Sequence, residues 1–115
     1  MKKYILAGIL FLISSSSFAG YTAPSPIKGI YIGKDGMVRF NVEMIAEGTC
    51  DFYNYRFAFD GSTPGGKSML SLLLSAKIAN KDVNVWYNPS TTPGTINGEG
   101  CTLSTLAQVT NIGLR

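Results

Sequence analysis

Gly65–Tyr87, with the sequence GGKSMLSLLLSAKIANKDVNVWY, is the stretch that decides the fold of this chain. Its first half predicts a helix from about Lys67 to Asn80, because apolar residues recur there at helical spacing. That apolar stripe consists of Met69, Leu72, Leu73, Ala76 and Ala79. Three more apolar residues widen it beyond half of the helix circumference: Leu70, Leu74 and Ile78. We therefore expect a helix that is covered on more than one side, either by a core or by a second subunit.

The second half of the stretch predicts a strand over Asp82–Asn88, because apolar and polar side chains alternate there. Three apolar side chains should face inwards: Val83, Val85 and Tyr87. Asn84 and Trp86 should then face outwards. An exposed tryptophan beside an amide is typical of a surface that stacks on a sugar ring or anchors a protein contact. The alternative is that Trp86 packs under a neighbouring loop or against the helix.

Three predicted strands precede the helix, over Ile27–Gly33, Met37–Ile45 and Phe52–Asp60. Lys34-Asp35-Gly36 joins the first two, since Asp-Gly supplies the backbone conformation that a tight turn needs. Alternation in the second strand places four apolar side chains inside: Val38, Phe40, Val42 and Met44. In the third strand, four aromatic side chains should share one face: Tyr53, Tyr55, Phe57 and Phe59. The outward faces of the three strands carry a mostly polar set: Tyr31, Arg39, Asn41, Asn54 and Arg56.

The segment after Asn88 predicts a loop over Pro89–Gly100 and a last strand within Thr102–Arg115, centred on Leu106–Ile112. Alternation in this strand is imperfect, so we expect a bulge or a weak register. The element order β-β-β-α-β-β is mainly β with one helix, and it predicts an OB-like five-stranded barrel. The alternative is an open antiparallel α+β sheet with the helix packed on it.

Residues 1–19 are predicted to be a secretory signal peptide, which leaves 20–115 as a single small β-rich domain. Lys2 and Lys3 precede the apolar run Tyr4–Ile13, and small residues flank a cleavage site after Ala19. The run is too short to cross about 30 Å of hydrocarbon. We therefore expect export to the periplasm or the exterior, without membrane insertion.

Two cysteines remain in a chain bound for an oxidising compartment, and we expect Cys50 and Cys101 to form a disulfide. The bridge would close a loop of about fifty residues, for which the chain-entropy model gives roughly 4 kcal/mol. The competing interpretation, a reactive thiol, would need a basic partner, and the chain contains no histidine.

The residues predict neither catalysis nor a cofactor or metal. Without histidine there is no Ser-His-Asp or Cys-His arrangement and no ordinary zinc site. Gly61–Ser68 matches the pattern of a phosphate loop, but that motif belongs after a buried strand in a larger α/β domain. A glycine-rich start of a helix is the better interpretation. Positive charges are scattered along the chain, which disfavours nucleic-acid binding.

The segment Lys67–Trp86, KSMLSLLLSAKIANKDVNVW, resembles a helix-to-strand segment of small secreted bacterial proteins. These include the OB-fold binding (B) subunits of AB-type toxins of the pertussis and subtilase cytotoxin groups. The resemblance covers about twenty residues of the chain and consists of apolar positions. It implies a secreted, disulfide-containing barrel that forms ring-shaped pentamers and binds cell-surface glycans, and it assigns no glycan-contacting residue here.

We therefore predict a secreted, non-catalytic binding module, with an oligomeric, glycan-recognising protein of the toxin B-subunit kind as the leading hypothesis. The alternative is a periplasmic protein-interaction or inhibitor protein. The expected ligand-binding residues lie on outward strand faces: Trp86, Asn84, Tyr31, Arg39, Asn41 and Arg56. The expected contact between copies of the chain involves Leu70, Leu74 and Ile78. The six residues expected to bind a ligand could instead form only the solvated side of the sheet.

Overall fold

The computed structural model describes residues 20–115, and the predicted signal peptide lies outside the described residues. In chain order these residues form four strands, one helix and two further strands. A short 3₁₀ turn, Leu103–Thr105, precedes the last strand. The bounds are β1 Gly20–Tyr21, β2 Ile27–Ile32, β3 Met37–Val42, β4 Phe57–Asp60, α1 Pro64–Ala79, β5 Val83–Asn88 and β6 Ala107–Leu114. The prediction of a mainly β chain with one helix is confirmed.

The strands form one open six-stranded sheet in the order β1-β5-β6-β4-β3-β2. Neighbouring strands are antiparallel except β4 and β6, which are parallel. The sheet is not a closed barrel, so it fits the alternative prediction of an open sheet better than the barrel. Its two outermost strands nevertheless follow each other in the chain. In the connection between them, Ser25 pairs with Val83 of β5, and the Pro26 carbonyl accepts a hydrogen bond from the amide of Glu43, just after β3.

The main core lies between the sheet and α1. Three aromatic rings fill its centre, with ring centroids 5.2 Å apart for Phe40 and Phe57 and 5.1 Å apart for Phe57 and Tyr87. From the helix, Leu73 and Ala76 are fully buried against the sheet. The inward side chains predicted for β3 and β5 are in this core, except that Met44 lies beyond the end of β3 and is exposed. Burial of this apolar area is the main stabilising contribution to the fold.

Helix α1 begins earlier than predicted because Thr63 caps it. The Thr63 hydroxyl accepts a hydrogen bond from the amide of Gly66 at 2.9 Å, and Pro64 occupies the first helical position. Asn80 ends the helix in the left-handed conformation. This start accounts for the glycine before Lys67, since the chain turns so closely that Gly66 lies against the Asp60 carbonyl.

The predicted strand over Phe52–Asp60 is wrong in its first half. Phe52 and Tyr55 exchange both backbone hydrogen bonds, at 2.9 and 3.0 Å, around a two-residue turn at Tyr53 and Asn54. Both turn residues have positive φ, 50° and 75°, and the Asp51 carboxylate accepts a hydrogen bond from the Asn54 amide at 2.7 Å. The strand is therefore only β4, and the two tyrosines of the hairpin do not share a face with the two phenylalanines of β4.

A second, smaller core covers the other face of β3 and β4. Its fully buried members are Cys50, Ala58, Cys101 and Leu106, and Met37, Phe52 and Tyr55 pack against it. The predicted disulfide between the two cysteines is present. It joins the hairpin segment to the end of the loop between β5 and β6. Both faces of the sheet centre are thus buried.

The predicted irregularity of the last strand is confirmed. The pairing of β5 with β6 shifts from Trp86 opposite Asn111 to Tyr87 opposite Val109. Thr110 is therefore the extra residue of a bulge, and its hydroxyl donates to the Trp86 carbonyl at 3.2 Å. The bulge lies directly beside Trp86.

The two adjacent glycines at the start of α1 give a matched test of this packing. A Cβ at Gly66 would collide with the Asp60 carbonyl, whereas a Cβ at Gly65 would meet nothing within 4 Å. We expect Gly66→Ala to lower the free energy of unfolding by about 1–3 kcal/mol. Gly65→Ala should raise it by about 0.4–1 kcal/mol, because it reduces the freedom of the unfolded chain. Urea denaturation measures both, and equal effects of the two changes would contradict the close approach.

Candidate functional site

The six predicted ligand-binding residues do not form one surface. Trp86 and Asn84 lie on β5, near the β1 edge of the sheet, whereas Tyr31 and Arg39 lie on β2 and β3, at the other end of the strand order. The other two, Asn41 and Arg56, hold the backbone of neighbouring segments. Two separate candidate sites follow from this arrangement.

The first candidate is the Trp86 platform, which we define as Tyr21, Asn84, Trp86 and Asn111. The Trp86 and Tyr21 side chains are neighbours across β1 and β5, with ring centroids 4.9 Å apart and ring planes tilted by 46°. Trp86 is 37% exposed, so the prediction that it faces outwards is confirmed. Asn111 lies opposite it on β6, and the two residues line an open cleft of about 270 Å³.

Asn84 lies beneath the aromatic pair and is buried, contrary to the expectation of an exposed amide. Its Nδ2 donates to the Tyr21 hydroxyl at 3.2 Å, so Tyr21 is what covers it. Its Oδ1 is buried and has no hydrogen-bond partner among the described residues. Gly113 faces it from β6, and a Cβ there would lie 3.1 Å from Oδ1 and 3.3 Å from the edge of the Trp86 ring. A side chain at this position would therefore crowd both the Asn84 amide and the Trp86 ring.

The second candidate is the aromatic pocket, which we define as Tyr31, Arg39, Phe52, Tyr53, Tyr55 and Leu103. It has a volume of about 230 Å³. Tyr31 and Tyr55 face each other with ring centroids 5.9 Å apart, and Phe52 and Tyr53 meet edge to face at 4.8 Å. The walls come from β2, β3, the Phe52–Tyr55 hairpin and the 3₁₀ turn. The disulfide adjoins this pocket, because Cys50 and Cys101 each lie two residues from one of its walls.

Arg39 is the charged group of the aromatic pocket. It is only 7% exposed, which corrects the prediction that it faces water. Its guanidinium carbon lies 5.8 Å from the centre of the Tyr31 ring, and its Nη2 lies 3.4 Å from an Asp35 carboxylate oxygen. Its Nε has no hydrogen-bond partner among the described residues. The Met37 amide, which donates to Asp35 at 3.0 Å, lowers the pKa of that carboxyl, and Arg39 acts in the same direction.

Asn41 and Arg56 support the hairpin and do not present themselves to a ligand. Asn41 is buried, and its Nδ2 donates to the Asn54 carbonyl at 2.9 Å. Arg56 donates to the Thr49 hydroxyl at 3.0 Å and lies 3.5 Å from the Asp51 carboxylate. Their expected outward exposure is wrong because the hairpin layer covers this face of the sheet.

A third cleft, of about 530 Å³, separates the start of the described chain from the segment 44–48. Tyr87 borders it and donates its hydroxyl hydrogen to the Glu47 carbonyl at 2.6 Å. Burial raises the pKa of Tyr87, with a further contribution from the Glu47 charge. Two buried side-chain polar atoms lack a hydrogen-bond partner in residues 20–115. Asn84 Oδ1 belongs to the Trp86 platform, and Arg39 Nε belongs to the aromatic pocket. This cleft is therefore the weaker candidate.

Within residues 20–115, no group of three or more His, Cys, Asp and Glu side chains is placed to hold a metal ion. Over the same residues, no helix combines the length and the apolar character needed to cross a membrane. Comparison with protein-family models, with curated proteins and with solved structures finds no match for this chain. The Trp86 platform and the aromatic pocket are therefore the features of the chain that bear on its function.

Six residues of the two sites are absent from the set predicted to bind ligand: Tyr21, Asn111, Phe52, Tyr53, Tyr55 and Leu103. Tyr21 lies in a segment rich in proline, which gives no signal for pairing with a strand more than sixty residues away. Leu103 reaches the pocket only because the disulfide brings the 3₁₀ turn against the hairpin. The one available sign in the sequence is an apolar residue two positions after Cys101.

Proposed function

We propose that this chain is an exported, non-catalytic binding module that recognises carbohydrate through the Trp86 platform. The observation that carries the proposal is the exposed Trp86–Tyr21 pair above a buried amide oxygen with no hydrogen-bond partner in the described chain. A buried acceptor without a partner costs free energy, so such a group in a folded protein calls for an explanation. A bound hydroxyl would provide the missing donor.

The chemistry of a sugar ring fits this arrangement. One face of a pyranose presents C–H groups, which pack on aromatic rings, while its edge presents hydroxyl groups. Trp86 and Tyr21 offer the aromatic surface, and the amides of Asn84 and Asn111 lie beside it. Few convergent polar groups next to apolar surface are typical of small-ligand sites. The platform carries no charged side chain, which favours a neutral sugar.

We propose further that this open sheet is related in topology to an OB-like barrel, with β1 and β2 as two parts of one bent strand. When β1 and β2 are counted as one strand, the sheet has five strands. That combined strand then stands at both ends of the strand order, beside β5 at one end and beside β3 at the other. The parallel pairing of β4 with β6 and the helix between β4 and β5 support this. OB folds include binders of oligosaccharides, although a fold alone does not assign a function.

Export and self-association belong to the same proposal. The disulfide is compatible with an oxidising compartment. The outer side of α1 exposes apolar side chains: Ile78 is 86% exposed, and Leu74 is exposed beside it. Leu70 is partly buried and packs against the core instead. We propose that this side of α1 contacts another copy of the chain in a ring-shaped assembly, as the resemblance to toxin B subunits implies.

The sugar proposal is tested with a glycan array followed by fluorescence titration. Trp86 is the single tryptophan, so its emission reports on the platform alone. We expect a neutral glycan to shift that emission, and Trp86→Ala to weaken array binding at least about tenfold, because central aromatic residues dominate recognition. Tyr31→Ala is the matched control, since it removes an aromatic ring outside the platform. Binding that survives Trp86→Ala but not Tyr31→Ala would contradict the proposal.

Self-association is tested by size-exclusion chromatography with light scattering. We expect the wild-type protein to form oligomers and Ile78→Lys to reduce them to monomers, because the substitution places a charge at the proposed interface. Ile45→Lys is the control, since it changes another exposed isoleucine that lies outside α1. A monomeric wild-type protein, or equal behaviour of the two variants, would refute the interface.

A further inference from the structure

We propose that the aromatic pocket is a second binding site, which takes the C-terminal residue of a polypeptide partner, with an aromatic or large aliphatic side chain. This site lies on β2, β3 and the hairpin and is separate from the Trp86 platform. The inference goes beyond carbohydrate recognition and does not depend on it. It gives the chain two ligands of different chemistry.

The shape and lining of the pocket favour one apolar side chain. A volume of about 230 Å³ suits a single large side chain and is smaller than typical sites for drug-sized molecules. Five of its six walls are aromatic or aliphatic: Tyr31, Phe52, Tyr53, Tyr55 and Leu103. Tyrosine provides large contact area at a small cost in conformational entropy, which is why it is common in protein-binding surfaces. Sugar hydroxyls would find few polar partners on these walls.

The sixth wall, Arg39, favours a carboxylate on the ligand. Arg39 is nine-tenths buried, and its Nε lacks a hydrogen-bond partner within the described chain. Its contact with Asp35 is a single 3.4 Å approach to a largely exposed carboxylate. Arginine binds carboxylates with two parallel N–H donors when the geometry allows, and these are among the stronger hydrogen bonds in proteins. A ligand carboxylate would therefore improve on the partner that Arg39 has.

The short distance between the Arg39 guanidinium and the Tyr31 ring fits a C-terminal residue as the ligand. The guanidinium carbon of Arg39 lies 5.8 Å from the centre of the Tyr31 ring. The ligand must therefore carry its apolar group and its carboxylate close together. In a C-terminal residue, the side chain and the α-carboxylate leave the same carbon atom. Lys28, which lies on the far side of Tyr53 and Tyr55, adds positive charge next to the site.

The backbone at Tyr53 is a further sign of a site. A bulky residue with φ of 50° is unfavourable, and glycine would suit this turn better. The ring is also 65% exposed, so it is not kept there by burial. The Asn97 side chain accepts a hydrogen bond from the Tyr53 amide at 3.1 Å and holds the turn in place. Strain of this kind is found at ligand-binding positions.

The test uses N-acetyl-L-phenylalanine and its neutral amide as probes of the disulfide-bonded protein, followed by NMR. The Nε–Hε resonance of Arg39 reports directly on its hydrogen bonding. We expect the acid to shift this resonance, together with those of Tyr53 and Tyr55, and to bind at least about tenfold more tightly than the amide. Equal affinity of the two probes, or no binding of the acid, would overturn the proposal. Self-association that fills the pocket would also overturn the proposal. It would appear as shifts of the same resonances when the protein concentration is raised without any probe.

Tyr53→Gly removes one wall while relieving the strained turn, so loss of binding cannot be ascribed to unfolding. Asn54→Gly is the matched control, because it relaxes the neighbouring positive φ and leaves every pocket wall in place. We expect Tyr53→Gly to lower the affinity for N-acetyl-L-phenylalanine at least about fivefold, and Asn54→Gly to leave that affinity unchanged. Unchanged binding by Tyr53→Gly would refute the site. Trp86→Ala should not change the binding of N-acetyl-L-phenylalanine, so this proposal and the sugar proposal can fail separately.

Discussion

The hairpin Phe52–Tyr55 and the loop between β5 and β6 form the outer layer of this protein. This layer depends on the bond between Cys50 and Cys101. The bridge closes a separation of 51 residues, for which the chain-entropy model gives about 4 kcal/mol, a large part of the stability of a small domain. With Ala58 and Leu106 it forms a second core on the side of the sheet away from α1. The bond thus joins the hairpin to the segment of the 3₁₀ turn, and these two segments supply the four pocket walls that lie outside the sheet strands.

Two proposed recognition surfaces, on opposite parts of one sheet, would account for the polar atoms that the fold leaves without partners. Most buried polar groups in proteins are hydrogen-bonded, and exceptions often mark a site. Here the exceptions among the described side chains are Asn84 Oδ1 and Arg39 Nε. The first is an acceptor beside aromatic rings and suits a hydroxyl donor. The second is a cationic donor among apolar walls and suits a carboxylate. The chemistry of the two sites therefore differs.

The sequence predicted those parts of the fold in which local pattern and tertiary burial agree. The helix and β5 follow from periodicity, and the disulfide follows from two cysteines in a chain with a predicted export signal. The turn at Tyr53 and Asn54 could not be predicted, because neither residue is glycine and the surrounding aromatics alternate like a strand. The burial of Arg39, Asn41 and Asn84 could not be predicted either. Alternation gives the face of the sheet that a residue lies on, but not whether another segment covers that face.

The most direct test of this account is amide hydrogen exchange of the oxidised and the reduced protein. Phe52 and Tyr55 donate hydrogen bonds to each other across the hairpin, and Val38 and Phe40 lie in the main core. The account predicts that reduction exposes the two hairpin amides to rapid exchange, while the amides of β3 stay protected. Hairpin amides that remain equally protected after reduction would contradict it, because the outer layer would then hold without the bond.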